Sequence, residues 1–217
     1  PFGGQVANFE GKKYVQPRKS LKVMAREIQL AFAAGELAWE DAGLAEIEVD
    51  SDRLGVVGGA GLLYCGLEEL AARLQAAHGV DVSVIVMDLS KPTAAAELWQ
   101  RTTELGLDVD MLVNNAGFGT YGDVADADPQ RLEDAIELNC RMLVGATARY
   151  LPQMRARGRG TIINVASTAA FQPLPQMAVY GASKAFVLSF TEALWAEERK
   201  HGIRILAVCP GLTDTPF

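Results

Sequence analysis

Tyr180 and Lys184 stand four residues apart in the run Val179-Tyr180-Gly181-Ala182-Ser183-Lys184. On a helix that spacing puts both side chains on one face. A free phenol, with a pKa of about 10, is a poor acid or base at neutral pH. An ammonium beside it favours the phenolate and draws that pKa down. A tyrosine tuned in this way can give a proton to a carbonyl oxygen or take one from an alcohol. Ser167 follows the run Thr161-Ile162-Ile163-Asn164-Val165, and its hydroxyl can hold the same substrate oxygen. A Tyr-x-x-x-Lys pair alone is common on exposed helix turns. Its weight comes from company: Asn114-Asn115-Ala116-Gly117 upstream, Ser167 next, then the pair, then Pro210-Gly211.

These residues need elements to position them. Apolar β-rich runs at residues 80–87, 110–113, 161–165 and 203–208 read as strands. Helical patterns fall between and around them, at 67–78, from Pro92 to about Leu105, from Pro129 to about Arg155, and from Gly181 to His201. Strands that are nearly all apolar and alternate with helices predict a parallel sheet covered on both faces. The fold class is therefore α/β, a Rossmann-type doubly wound parallel sheet. Asn114 and Ser167 close two of those strands, where ligand crevices open in such sheets.

The composition agrees with an ordinary globular chain. Of 217 residues, 49% are hydrophobic and 22% charged, and the net charge is −7. That balance excludes a disordered or collagen-like chain and argues against nucleic acid or an anionic membrane as partner. The run of apolar residues never reaches the length of a membrane span. Cys65, Cys140 and Cys209 are odd in number and widely spaced, without a CxxC pair, so a reduced, cytoplasmic setting is expected. His78 and His201 are too few for a His-rich metal site, and no metal is expected. The chain opens on Pro1 without a signal-peptide pattern and ends at Phe217 just after a turn-like run, so both ends read as cut.

With the motifs in this order, residues 67–217 resemble the short-chain dehydrogenase/reductase family. The resemblance implies a nicotinamide cofactor, NADP or NAD, and hydride transfer between it and a carbonyl or alcohol carbon. It implies Tyr180 as general acid/base, Ser167 as the orienter of the reacting oxygen, and both as substrate contacts. Lys184 would bind the cofactor ribose and act on Tyr180, which would itself also contact the cofactor. Asn139, in Glu137-Leu138-Asn139-Cys140, matches the family's helix asparagine that holds a proton-relay water. Asp88 and Leu89 match the pair that meets the adenine ring; Asn114, Ala116 and Gly117 would line the cofactor. Pro210, Gly211, Thr213 and Thr215 would contact its nicotinamide end, although the family usually has Ile or Val where this chain has Thr213. The helices at 129–155 and 181–201 match those of the family's dimer interfaces and imply a homo-oligomer. Their apolar residues Leu138, Met142, Phe186, Phe190 and Leu194 suit a core better than an interface.

Residues 1–65 do not follow that family. Residues 11–24, a long Ala-rich helical pattern and residues 54–61 resemble the N-terminal part of a β-ketoacyl synthase. The chain then divides into a synthase-like segment, 1–65, and a truncated Rossmann domain, 66–217. The synthase family's nucleophilic cysteine and two histidines lie downstream of the matching region, and neither Cys65 nor His78 corresponds to them. Condensation is thus disfavoured. The other alternative to an oxidoreductase is an inactive fusion or scaffold fragment. Gly55, Gly59 and Gly61 fit GxxxGxG and could cradle a pyrophosphate or form a packing turn. In the first case Asp88 would sit near where a ribose-binding acid belongs, but the Asp88-Leu89-Ser90 context favours the adenine contact. A 3-oxoacyl thioester is the expected substrate, because both halves resemble acyl-chain enzymes.

Overall fold

Three short apolar runs pair side by side as parallel strands in the computed structural model, which describes residues 71, 72, 74–76 and 79–211. The segment 1–65, with its Gly55, Gly59 and Gly61, and the residues Thr213 and Thr215 lie outside the described residues. Strand β1 is Met111–Asn114, β2 is Gly160–Val165 and β3 is Ile203–Val208. They lie in the order β1-β2-β3. Helix α1 (Ala94–Glu104) precedes β1. Between β1 and β2 run α2 (Pro129–Ile136), a π-helical segment (Glu137–Met142) and α3 (Leu143–Arg157). Helix α4 (Ala178–Glu198) joins β2 to β3. Parallel neighbours require such crossovers, so the helix-bearing connections are forced by the pairing.

The alternation of side chains along each strand divides the core. Leu112, Ile162 and Ile205 face Ala95 and Leu98 of α1, Ala146, Tyr150 and Met154 of α3, and Leu194 of α4. Met111, Val113 and Ile163 point to the other face and are buried as well. Each of these large side chains contributes about 1.5–3 kcal/mol by leaving water. Tyr150 is buried with its hydroxyl 2.8 Å from that of Thr102 and its ring edge-on to Trp99 at 5.1 Å. A buried phenol needs such a partner, and burial pushes its pKa up. Tyr150 is therefore a framework residue.

Local chemistry sets the helix limits. The Asp128 side chain accepts from Gln130 N at 3.1 Å and Pro129 takes the first helical position of α2, both favourable at a helix start. Gly158 ends α3 at φ +68°, a conformation that suits glycine. Two expectations change in detail. Helix α4 begins at Ala178, so Tyr180 lies inside its first turn. Residues 80–87, expected as a strand, have no ladder partner among the described residues. Their period-2 pattern survives, with Ile85 and Met87 packed on the core and Val84 and Val86 exposed. The Val86 carbonyl accepts from Arg101 Nη1 at 3.2 Å rather than from a neighbouring strand.

The far ends of α3 and α4 are tied by an ion pair. Glu198 is fully buried, and both its oxygens accept from Arg155, which remains about half exposed. Removing the cation strands a buried carboxylate, whereas removing the carboxylate leaves an arginine that can turn to water. Arg155→Ala is therefore expected to lower the thermal midpoint more than Glu198→Gln, a ranking that calorimetry of the two variants checks.

Candidate active site

The carboxyl ends of the strands carry the polar side chains. Asn114 closes β1 and sits in register with Asn164 of β2. Its Nδ2 donates to Asn164 Oδ1 at 2.8 Å and to Thr147 Oγ1 of α3 at 3.2 Å. Asn164 Nδ2 in turn donates to Thr191 Oγ1 of α4 at 2.9 Å, and Thr191 donates to Val187 O at 2.6 Å. This ladder joins two strands to two helices in a dry setting, where each bond satisfies a group that would be costly to leave alone. Asn164 and Thr191 were not singled out among the candidate residues. The available signal was one amide inside the otherwise apolar run of β2.

The π-helical segment places Asn139. One extra residue in the turn breaks the α-helical pattern, a device common at functional sites. Asn139 is buried. Its Oδ1 accepts from Phe118 N at 3.1 Å, and its Nδ2 donates to Phe118 O at 2.9 Å and to Ser183 Oγ at 3.0 Å. Ser183 donates onward to the Tyr180 carbonyl at 2.8 Å. The asparagine thus holds the loop after β1 against the first turns of α4. Ser183 is a third residue the motif reading passed over, although it lies inside the Tyr-x-x-x-Lys run itself. Gly117 is obligatory at this junction: a Cβ there would lie 2.8 Å from Asn139 Oδ1 and 3.5 Å from Lys184 Nζ.

Tyr180 and Lys184 share a face of α4 as their spacing requires. Lys184 Nζ lies 5.8 Å from the centroid of the Tyr180 ring. It donates to Val165 O, the end of β2, at 2.8 Å. Lys184 is buried, and loss of hydration lowers its pKa from 10.5 to about 8, against smaller opposing effects of Cys140 and Cys209. Burial pushes both thiols up. Ser167 adopts extended backbone and opens the 3-10 turn Thr168–Phe171, its Oγ accepting from Ala169 N at 3.1 Å. That turn packs on α4 at Gly181, where a Cβ would meet Ala169 O at 3.7 Å. Pro210 and Gly211 arrive beside it: Thr168 N donates to Pro210 O at 2.9 Å, and Ala166 N to Val208 O at 2.8 Å. The structure therefore gathers Ser167, Tyr180, Lys184, Asn139, Gly117, Pro210 and Gly211 around the ends of β2 and β3.

The remaining candidates lie around the end of β1. Leu89, Asn114 and Ala116 line a shallow, solvent-open cleft with Val113, Asn115, Leu138, Met142 and Leu143. Asp88 is exposed, and its Oδ1 accepts from Ser90 N at 3.0 Å and Ser90 Oγ at 2.7 Å. Those bonds hold its carboxyl below the usual range. The walls of this cleft are mostly apolar, with Asn114 and Asn115 as its polar edge. Leu89, Asn114 and Ala116 thus lie together at the end of β1, and Gly117 lies beside Lys184 at the end of β2. Of the helix residues expected in the core, Met142 and Leu194 are buried, Leu138 and Phe190 pack partly buried against them, and Phe186 is exposed.

The Lys184 ammonium gives a pH-dependent stability. Its folded pKa is about 8 against 10.5 free. Below pH 8 folding carries the whole cost of dehydrating the charge, about 3 kcal/mol. Between those values the unfolded chain binds the additional proton, so stability rises with pH until the cost vanishes. Relative to Lys184→Met, the parent chain is expected to gain stability across that interval, as urea unfolding at stepped pH would show.

Residues 62–217 match the short chain dehydrogenase family. The very-long-chain 3-oxoacyl-CoA reductase of Anas platyrhynchos is 33% identical over 149 residues, 66% of this chain and 47% of that protein. Among solved structures, the bulky-bulky ketone specific alcohol dehydrogenase of Comamonas testosteroni is 33% identical with a TM-score of 0.65, covering 69% of this chain and 60% of its own. A short-chain dehydrogenase of Sphingobium yanoikuyae, solved in complex with NADPH, is 32% identical with a TM-score of 0.66, covering 76% and 65%. The chain spans 48–64% of the length of the curated relatives it matches first. With the strand-end motifs folded together and most of its length matched, the chain belongs to the short-chain dehydrogenase/reductase family.

Proposed function

We propose that the protein is an NAD(P)-dependent oxidoreductase acting on a carbonyl/alcohol pair. The observation that carries this reading is the placement of Lys184 at once against the end of β2, beside the Tyr180 ring and next to Gly117. A bound nicotinamide nucleotide supplies or accepts the hydride. The chain's own residues do the rest. In reduction, Tyr180 gives its phenolic proton to the carbonyl oxygen as the carbon receives hydride. Ser167, its oxygen oriented by Ala169 N, donates its hydroxyl proton as a hydrogen bond to the same oxygen. The Lys184 ammonium stabilises negative charge developing on the phenol oxygen, a stronger effect where water is excluded.

Lys184 would also hold the cofactor ribose, Leu89 and Asp88 the adenine end, Asn114, Ala116 and Gly117 the middle, and Pro210, Gly211, Thr213 and Thr215 the nicotinamide end. Asn139 would support proton return through a water; with its carboxamide engaged by Phe118 and Ser183, that water would meet the backbone of the π-helical segment. A 3-oxoacyl thioester is the proposed substrate, supported by the similarity to a 3-oxoacyl-CoA reductase. NADP or NAD serves as cofactor. The remaining parts of the reading are a synthase-like segment at 1–65 ahead of the dehydrogenase domain, a cytoplasmic location, and a homo-oligomer through the helices at 129–155 and 181–201. The exposed Ile136, Phe186 and Trp195 support the last of these.

Tyr180→Phe keeps the ring and removes the transferable proton. Turnover is expected to fall by about 10²–10⁴-fold, while titration of NADPH or NADH fluorescence shows nearly unchanged cofactor affinity. A variant retaining most of its activity refutes the role of Tyr180. A parent chain that binds neither nucleotide points to an inactive scaffold.

A further inference from the structure

The loop after β1 and the turn before α4 are fastened together directly beside Tyr180. Gln176 is the one non-glycine residue at positive φ among the described residues, at +66°. A residue with a side chain adopts that conformation at an energetic cost. Here it turns both polar groups of Gln176 toward the same loop. Its carbonyl accepts from Gly122 N at 2.9 Å, and its Oε1 accepts from the Tyr121 hydroxyl. Gly122, at φ +131°, supplies the matching bend on the other side. The fastened loop then runs against the catalytic ring: a Cβ on Gly119 would lie 3.2 Å from Tyr180 Cδ2 and 3.5 Å from Met177 Cε. Both segments follow the carboxyl ends of parallel strands, where substrate enters such sheets.

We propose that Tyr121 and Gln176 form a clasp that sets the width of the substrate entrance over Tyr180, and so determine which carbonyl compounds the enzyme accepts. Neither residue touches the reacting atoms; they act by holding Gly119 against the ring. With the clasp closed, the entrance admits a slender carbonyl chain, such as a straight acyl thioester, and excludes branching beside the carbonyl. Releasing it lets the 119–122 segment move away, admits bulkier ketones and loosens the phenol. The proposal rests on the oxidoreductase reading, in which Tyr180 meets the substrate carbonyl.

The test compares the parent chain with Tyr121→Phe and Gln176→Gly. Initial rates are taken with NADPH or NADH on a straight-chain and a branched ketone. Both variants are expected to raise the ratio of kcat/KM for branched over straight ketone by about tenfold, with kcat on the straight ketone reduced and cofactor affinity unchanged. Gln176→Gly removes the backbone penalty, so its thermal midpoint should be no lower than the parent's, which a merely structural role does not predict. Amide hydrogen exchange over residues 119–122 should quicken in Tyr121→Phe, and this holds whether or not the preparation turns over. Unchanged exchange overturns the clasp. So does an unchanged ratio in variants that remain active. A parent chain that binds nucleotide but reduces neither ketone, while exchange still quickens, overturns the entrance role and the catalytic reading while leaving the contact itself established.

Discussion

A buried ammonium is the constraint around which the site is arranged. Lys184 gives up most of its hydration and receives in return the carbonyl that ends β2, at 2.8 Å. A desolvated charge of this kind persists only where the surrounding framework holds it. Its place is set from three directions: by α4, which carries it, by β2, whose end carbonyl accepts its hydrogen bond, and by the loop after β1, which passes close enough that residue 117 has no room for a side chain. The consequence is a cation held beside one face of a tyrosine ring and unable to drift toward water.

The supports of that arrangement are themselves polar and dry. The ladder Asn114–Asn164–Thr191 ties the sheet to α4, and the Asn139–Ser183–Tyr180 series ties the π-helical segment to the same helix one face away. Both networks end on α4. An apolar core would hold the helix equally firmly, but dispersion and hydrophobic burial are not directional. Hydrogen bonds, being directional, fix the rotation and register of α4 as well as its position. The contrast between the two tyrosines makes the same point. Tyr150, sealed against Trp99 and bonded to Thr102, belongs to the core, while Tyr180 is half-buried at the strand ends with Lys184 beside its ring.

Much of this was legible in the residues. Apolar runs separated by helical patterns led to a parallel α/β sheet, and the described strands follow three of those runs closely. The fourth, at 80–87, has strand-like side-chain alternation but no ladder among the described residues, because β pairing needs a partner and one segment's pattern does not contain it. Tyr180 and Lys184 were legible because four-residue spacing on a helix is a local geometric rule. Ser167 and Asn114 were legible because each closes an apolar run.

Local spacing and strand-end position, then, were enough to determine the fold class and the meeting of Tyr180 and Lys184 on one helix face beside the end of β2. Only tertiary packing decided what each amide and hydroxyl would bond. Asn164 became a partner of Asn114 through parallel register, Asn139 reached Phe118 through the π-helical turn, and Gln176 met Tyr121 through two loops far apart in sequence. Such contacts depend on the relative placement of several elements at once, and a spacing rule along one chain does not encode it. The burial that moves Lys184 to about pH 8 is likewise a property of the assembled neighbours, since solvent exclusion has no local sequence signature.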